Sequence, residues 1–119
     1  MQEKLKELAE SVPEVESIAI VDEEGLIVYR YDKAKATLDM EEVAVHVVTP
    51  VTRLIELMKD ISGEKDSLEE LVFFTTRYVV LVYRLVSDTY LVVVARRNPY
   101  YGRVRFKVRS KLWEINSVL

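Results

Sequence analysis

The 119-residue sequence contains no cysteine, which excludes disulfides, thiolate nucleophiles and cysteine-ligated metals and fits a reducing cytoplasm best. Its three glycines, Gly25, Gly63 and Gly102, are too scattered to write a GxxxxGK phosphate loop or a GxGxxG turn. The single histidine, His46, has no cysteine to activate, and no GxSxG context surrounds any serine. Amide side chains are scarce (Gln2, Asn98, Asn116) while Lys, Arg and Glu abound, a balance associated with heat-adapted proteins. The longest apolar runs, such as 78–83, are too short to span a bilayer, and the opening MQEKLKELAESV lacks the apolar core of a signal peptide. The expectation from these absences is a cytoplasmic protein without membrane insertion, catalytic residues, metal or cofactor.

What is present describes a globular chain: 50% hydrophobic, 31% charged, with the charge not blocked into long tails. The length fits a single domain over 1–119, burying roughly two-thirds of its unfolded surface. The net charge of −3 conceals an asymmetry, because Arg96, Arg97, Arg103, Arg105, Lys107, Arg109 and Lys111 follow one another with no acid among them.

Residues 2–11 place Leu5, Leu8, Ala9 and Val12 at helical spacing, with Pro13 as the stop. VPEVESIAIVDEEGLIVYR then reads as a hairpin over 17–31, with Gly25 supplying positive φ in a turn closed by a bulge. A long helix starts at Asp39 as cap, with Glu42 placed to complete a capping box, and ends at Gly63. Val43, Val47, Val51, Leu54 and Met58 form its main apolar stripe, widened by Ala44, Val48 and Ile55; Pro50, inside it, predicts a kink. Three strand-like runs follow, 68–75, 78–85 and 89–95, turning at Thr76-Arg77 and Ser87-Asp88. The last two are apolar on both faces, so helices must cover the sheet on both sides. The final segment alternates like a strand over RVRFKVRSK, but Asn98 as cap, Pro99 at the first helical position and the spacing of Val104, Val108, Leu112, Ile115 and Leu119 predict a helix.

The acidic groups Asp22-Glu23-Glu24, Glu41-Glu42 and Glu69-Glu70 lack the spacing of a calcium loop; the first is a hairpin tip and the second a helix N-terminus, where acids suit the dipole. The basic 96–111 segment, with Tyr100, Tyr101 and Phe106 nearby, leaves nucleic-acid binding as an alternative, set against a pI near 5.3.

The order helix, strand, strand, long helix, three strands, helix, together with two separated motifs, resembles the roadblock/dynein light chain family. VPEVESIAIVDEEGLIVY is similar to the family's opening hairpin, and LVVVARRNPYYGRVRFKVR, with Asn98 and Gly102, to its passage into the last helix. Pro50 and the bulky valines around it depart from a family helix usually rich in small residues. The resemblance implies a profilin-like α/β/α sandwich: a five-stranded antiparallel sheet in the order 2-1-5-4-3, the long helix on one face and the terminal helices on the other. It also implies a homodimer whose third strands pair edge to edge while the long helices pack across the two-fold axis. Here Leu71, Val72, Phe73 and Phe74 would form the strand seam and Val47, Pro50, Val51, Leu54 and Met58 the helix contact. LEELVFFTT is an apolar edge strand that a monomer would have to protect. Family members are noncatalytic regulators or scaffolds of Ras-like small GTPases, or light chains of motor complexes. A partner surface is expected at His46, Thr49, Arg53 and Glu56. A small-ligand sensor is a further alternative, because profilin-like sheets elsewhere cradle metabolites.

Overall fold

The computed structural model describes residues 1–119. The elements are α1 (Gln2–Glu10), β1 (Val15–Asp22), β2 (Ile27–Asp32), α2 (Met40–Ser62), β3 (Leu71–Phe74), β4 (Tyr78–Leu85), β5 (Thr89–Arg96) and α3 (Tyr101–Ser117). The strands form one antiparallel sheet in the order β2-β1-β5-β4-β3, as the resemblance implies.

Alternation along the central strands divides the core into two layers. Leu91, Val93 and Ala95 of β5 join Val79, Leu81 and Tyr83 of β4 under α1 and α3, where Leu5, Leu8, Ala9, Val104, Val108 and Ile115 meet them. Tyr90, Val92 and Val94 face the other way with Val80 and Val82, and α2 covers them through Met40, Ala44, Val48, Val51 and Ile55. Period-two side chains on strands that are apolar on both faces therefore produce the α/β/α sandwich.

The turns follow from local chemistry. Gly25 takes φ +86, its N–H donates to the Asp22 carbonyl, and the Asp22 carboxylate accepts from the Glu24 and Leu26 N–H groups, closing the first hairpin. Ser87 and Asp88 both have positive φ, as the tight turn between β4 and β5 requires, and Asp88 accepts from Arg84 at 2.7 Å.

Four expectations need correction. The α2 core stripe is Met40, Ala44, Val48, Val51 and Ile55, that is, the three residues read as widening together with Val51 of the main stripe and Met40; Leu54 and Met58 are exposed and Val43 and Val47 only half-buried. Asp39 does cap α2, accepting from the Glu41 N–H at 3.0 Å, but Glu42 turns to His46 at 3.2 Å rather than completing a capping box. The third strand keeps only Leu71–Phe74, because Thr75 is spent on the turn to Tyr78 and Glu70 is drawn toward α3. α3 begins at Tyr101, not at Pro99: Asn98 accepts from the Tyr100 N–H at 2.7 Å and so shapes the turn before the helix. α2 runs as one helix through Pro50.

Candidate functional site

The two edges of the sheet are treated differently. β2 is guarded by charge: Arg30 pairs with Asp32 at 2.8 Å and with Glu41 at 3.6 Å, while the Gln2 side chain donates to the Arg30 carbonyl. β3 ends the sheet on the other side with no element beyond it, and its four residues are Leu, Val, Phe and Phe. Open backbone groups beside apolar side chains, without a lysine or proline, are what an edge intended for pairing presents.

Strand register assigns each β3 side chain to a face. Leu71 opposes Val82 and Phe73 opposes Val80, both in the α2 layer; Val72 opposes Leu81 and Phe74 opposes Val79, both in the α1/α3 layer. Phe73 therefore stands on the α2 side. Phe74 stands on the α3 side, in edge contact with Tyr101 at 5.0 Å and with the Arg97 guanidinium 5.2 Å over its ring.

On α2, the surface beside the core stripe remains apolar. Pro50, Leu54, Leu57, Met58 and Ile61 are exposed and continue the half-buried Val43 and Val47 along one flank at spacings of three and four. Near its C-terminal end this flank meets the approach to β3, because Leu54, Ile55 and Met58 line an open recess of about 720 Å³ with residues 65–70, Arg105 and Arg109. Val51, read from sequence as an interface residue, is only 1% exposed and packs on the sheet, so it supports the flank from beneath. Leu57 and Ile61 were missed by that reading; their continuation of the three-four spacing was the available signal. His46, Thr49, Arg53 and Glu56 are all exposed on the crest of α2 away from the sheet. The structure thus brings the four polar residues into one row beside the apolar flank.

The basic segment is largely answered from within. Arg96 lies 2.5 Å from the buried Glu16, whose other oxygen accepts from the Thr37 N–H and hydroxyl, each at 3.0 Å. Arg103 pairs with the buried Glu14, which also accepts from Asn98 at 3.1 Å. Burial would raise the Glu14 pKa, but hydrogen bonds from its own backbone, Asn98 and Arg103 outweigh it and leave the carboxyl below its ordinary value. Glu70 takes both Arg105, at 2.8 and 2.9 Å, and Arg109, at 3.4 Å. The Arg103, Arg105 and Arg109 pairs tie α3 to the residues leading into β1 and β3, Arg96 ties β5 to β1, and together they lower the free charge that a nucleic-acid groove would use.

No group of three or more His, Asp or Glu is gathered closely enough to hold a metal, and no helix is long and apolar enough to cross a membrane.

A family model described as "Roadblock/LC7 domain" matches residues 1–95. Among solved structures, a Roadblock/LC7 domain from Streptomyces avermitilis aligns over 99% of this chain and 96% of its own, at a TM-score of 0.81 and 14% identity. MglB from Myxococcus xanthus aligns over 98% and 92%, at 0.83 and 15% identity. A profilin from Schizosaccharomyces pombe aligns over 98% and 97%, at 0.62 and 12% identity, placing the sandwich among profilin-like folds. No curated protein sequence matches.

Proposed function

Because this chain belongs to the Roadblock/LC7 domain family, we propose that it acts as a noncatalytic homodimeric platform that binds a Ras-like small GTPase. The observation that carries the proposal is the asymmetry of the sheet edges: β2 is guarded by Arg30, Asp32 and Gln2, whereas β3 is bare and adjoins the apolar flank of α2. In this reading two β3 strands pair antiparallel into a ten-stranded sheet, and Pro50, Leu54, Leu57 and Met58 meet their equivalents across the axis. Phe73, on the α2 side, sits in the seam. His46, Thr49, Arg53 and Glu56 of two copies then form one composite surface, which only the dimer possesses. The absence of a phosphate loop and of a nucleophile–base pair supports a platform that leaves the chemistry to its partner.

Affinity capture from the native lysate after nuclease digestion should recover a small GTPase. Arg53→Glu should weaken that complex and Phe73→Lys should abolish it. Loss of every partner on nuclease treatment would overturn the reading, as would calorimetry showing micromolar or tighter GTP binding by the protein alone.

The recess beside Glu70 is the one observation that favours a small-ligand sensor as a second reading. It lies open at the β3 end of α2, where the proposed second copy would approach, rather than enclosed between sheet and helix. A metabolite that raised the melting temperature of the native dimer, and failed to do so once Met58→Arg filled the recess, would favour the sensor.

A further inference from the structure

The outer face of α3 has no part in the platform, and α3 lies beyond the residues that the family model matches. Its inner side, Val104, Val108 and Ile115, is buried. On the opposite side Phe106 and Trp113 stand 70% and 80% exposed. Seven residues separate them, two helical turns, so both rings lie on one convex crest about 10 Å apart along the axis.

Cations surround this crest. α3 carries Arg103, Arg105, Lys107, Arg109 and Lys111 against one acid of its own, Glu114. Glu14 answers Arg103, Glu70 is shared by Arg105 and Arg109, and Lys111 stands 3.6 Å from Glu114. Three acids therefore face five cations, Lys107 makes no ion pair, and the paired arginines remain about half exposed. The residual charge is positive, and the apolar groups on the crest are large aromatics.

A partner complementary to such a crest is flat, anionic at its surface and apolar just beneath. We propose that α3 docks the protein peripherally on anionic lipid bilayers, with Phe106 and Trp113 at the headgroup boundary and Lys107 and the arginines against lipid phosphates. Single-stranded nucleic acid fits less well, since it calls for a basic groove that tracks a backbone, and here the ridge is convex. An acidic peptide would need a groove to enter, and the crest has none.

The strength of docking rests on the platform reading; the docking itself does not. Antiparallel pairing of two β3 strands relates the copies by an axis perpendicular to the sheet, so both α3 crests share one face and both α2 crests the other. Two contacts on one bilayer reinforce each other through effective concentration. The α2 surface would be turned to solution, free to receive its partner.

Trp113 is the only tryptophan, so its emission reports directly on the crest. The native protein is titrated with vesicles of phosphatidylcholine alone and of phosphatidylcholine with about one-third phosphatidylserine. A blue shift and co-sedimentation with the anionic vesicles only, both weakened by salt, are expected. Lys107→Glu should raise the lipid needed for a half-maximal shift about tenfold, and Phe106→Ser should also raise it, with the circular dichroism of both variants unchanged. Phe73→Lys, made monomeric at β3, should still shift but require about tenfold more lipid. Absence of shift and sedimentation with anionic vesicles would overturn the proposal, as would an equal response to neutral ones, or a larger shift with poly-uridine than with anionic vesicles. If light scattering finds the native chain monomeric while the anionic shift persists, the platform fails and the lipid contact stands.

Discussion

Glu70 precedes β3, yet its carboxylate is held by side chains from two other elements: Arg105 and Arg109 of α3 and the Tyr83 hydroxyl of β4, which donates to it at 2.7 Å. The Arg105 hydrogen bonds, opposed by burial and aided by Tyr83 and Arg109, bring the Glu70 pKa down to about 2. Burial first, and the carboxylate second, push the Tyr83 hydroxyl above its usual range. A carboxyl with its folded pKa below its ordinary 4.5 favours the folded state above pH 4.5, and that contribution fades as pH falls from 4.5 toward 2. Glu70→Gln should therefore cost about 1–2 kcal/mol at pH 7, allowing for solvent screening of the half-exposed arginines. Urea denaturation at pH 7 and near pH 3 should show a smaller loss for the variant than for the native protein on acidification. Gly25 is the second sensitive position, since it combines φ +86 with a Cβ site 3.1 Å from the Val45 backbone in α2. Gly25→Ala meets both strain and crowding and should cost about 1–3 kcal/mol, read as a lower urea midpoint with an unchanged slope.

At the scale of elements, α2 carries both the fold and the proposed interface, and this limits what its sequence can disclose. Periodicity places an apolar band on the helix, but the eight positions of that band lie within a single broad arc, and only packing on the sheet decides that Val48 and Val51 face inward while Leu54 and Met58 face out. The strands were more legible, because β4 and β5 are apolar at every second position on both faces and admit one arrangement, a covered sheet. The choice between Phe73 and Phe74 was not, since strand alternation separates them without saying which faces α2; the pairing of Phe73 with Val80 decides it. The internal pairing of the basic segment was hidden as well, because Glu14, Glu16 and Glu70 are distant in sequence from the arginines they meet. Pro50 offers a test at this scale. It is exposed and removes one hydrogen bond from the middle of α2, so Pro50→Ala should raise stability by up to about 3 kcal/mol, measured as a higher melting temperature.

For the whole molecule, the central claim is that two copies join at β3 and that the partner surface on α2 is complete only in the pair. The bare β3 edge, the guarded β2 edge and the apolar α2 flank support one mode of association, in which faces are conserved and both copies present α2 on the same side. Light scattering coupled to size exclusion tests this most directly. The native chain should elute as one species at twice the 13.8 kDa chain mass, with Phe73→Lys falling to monomer or aggregate; a monodisperse native monomer of 13.8 kDa would contradict the account.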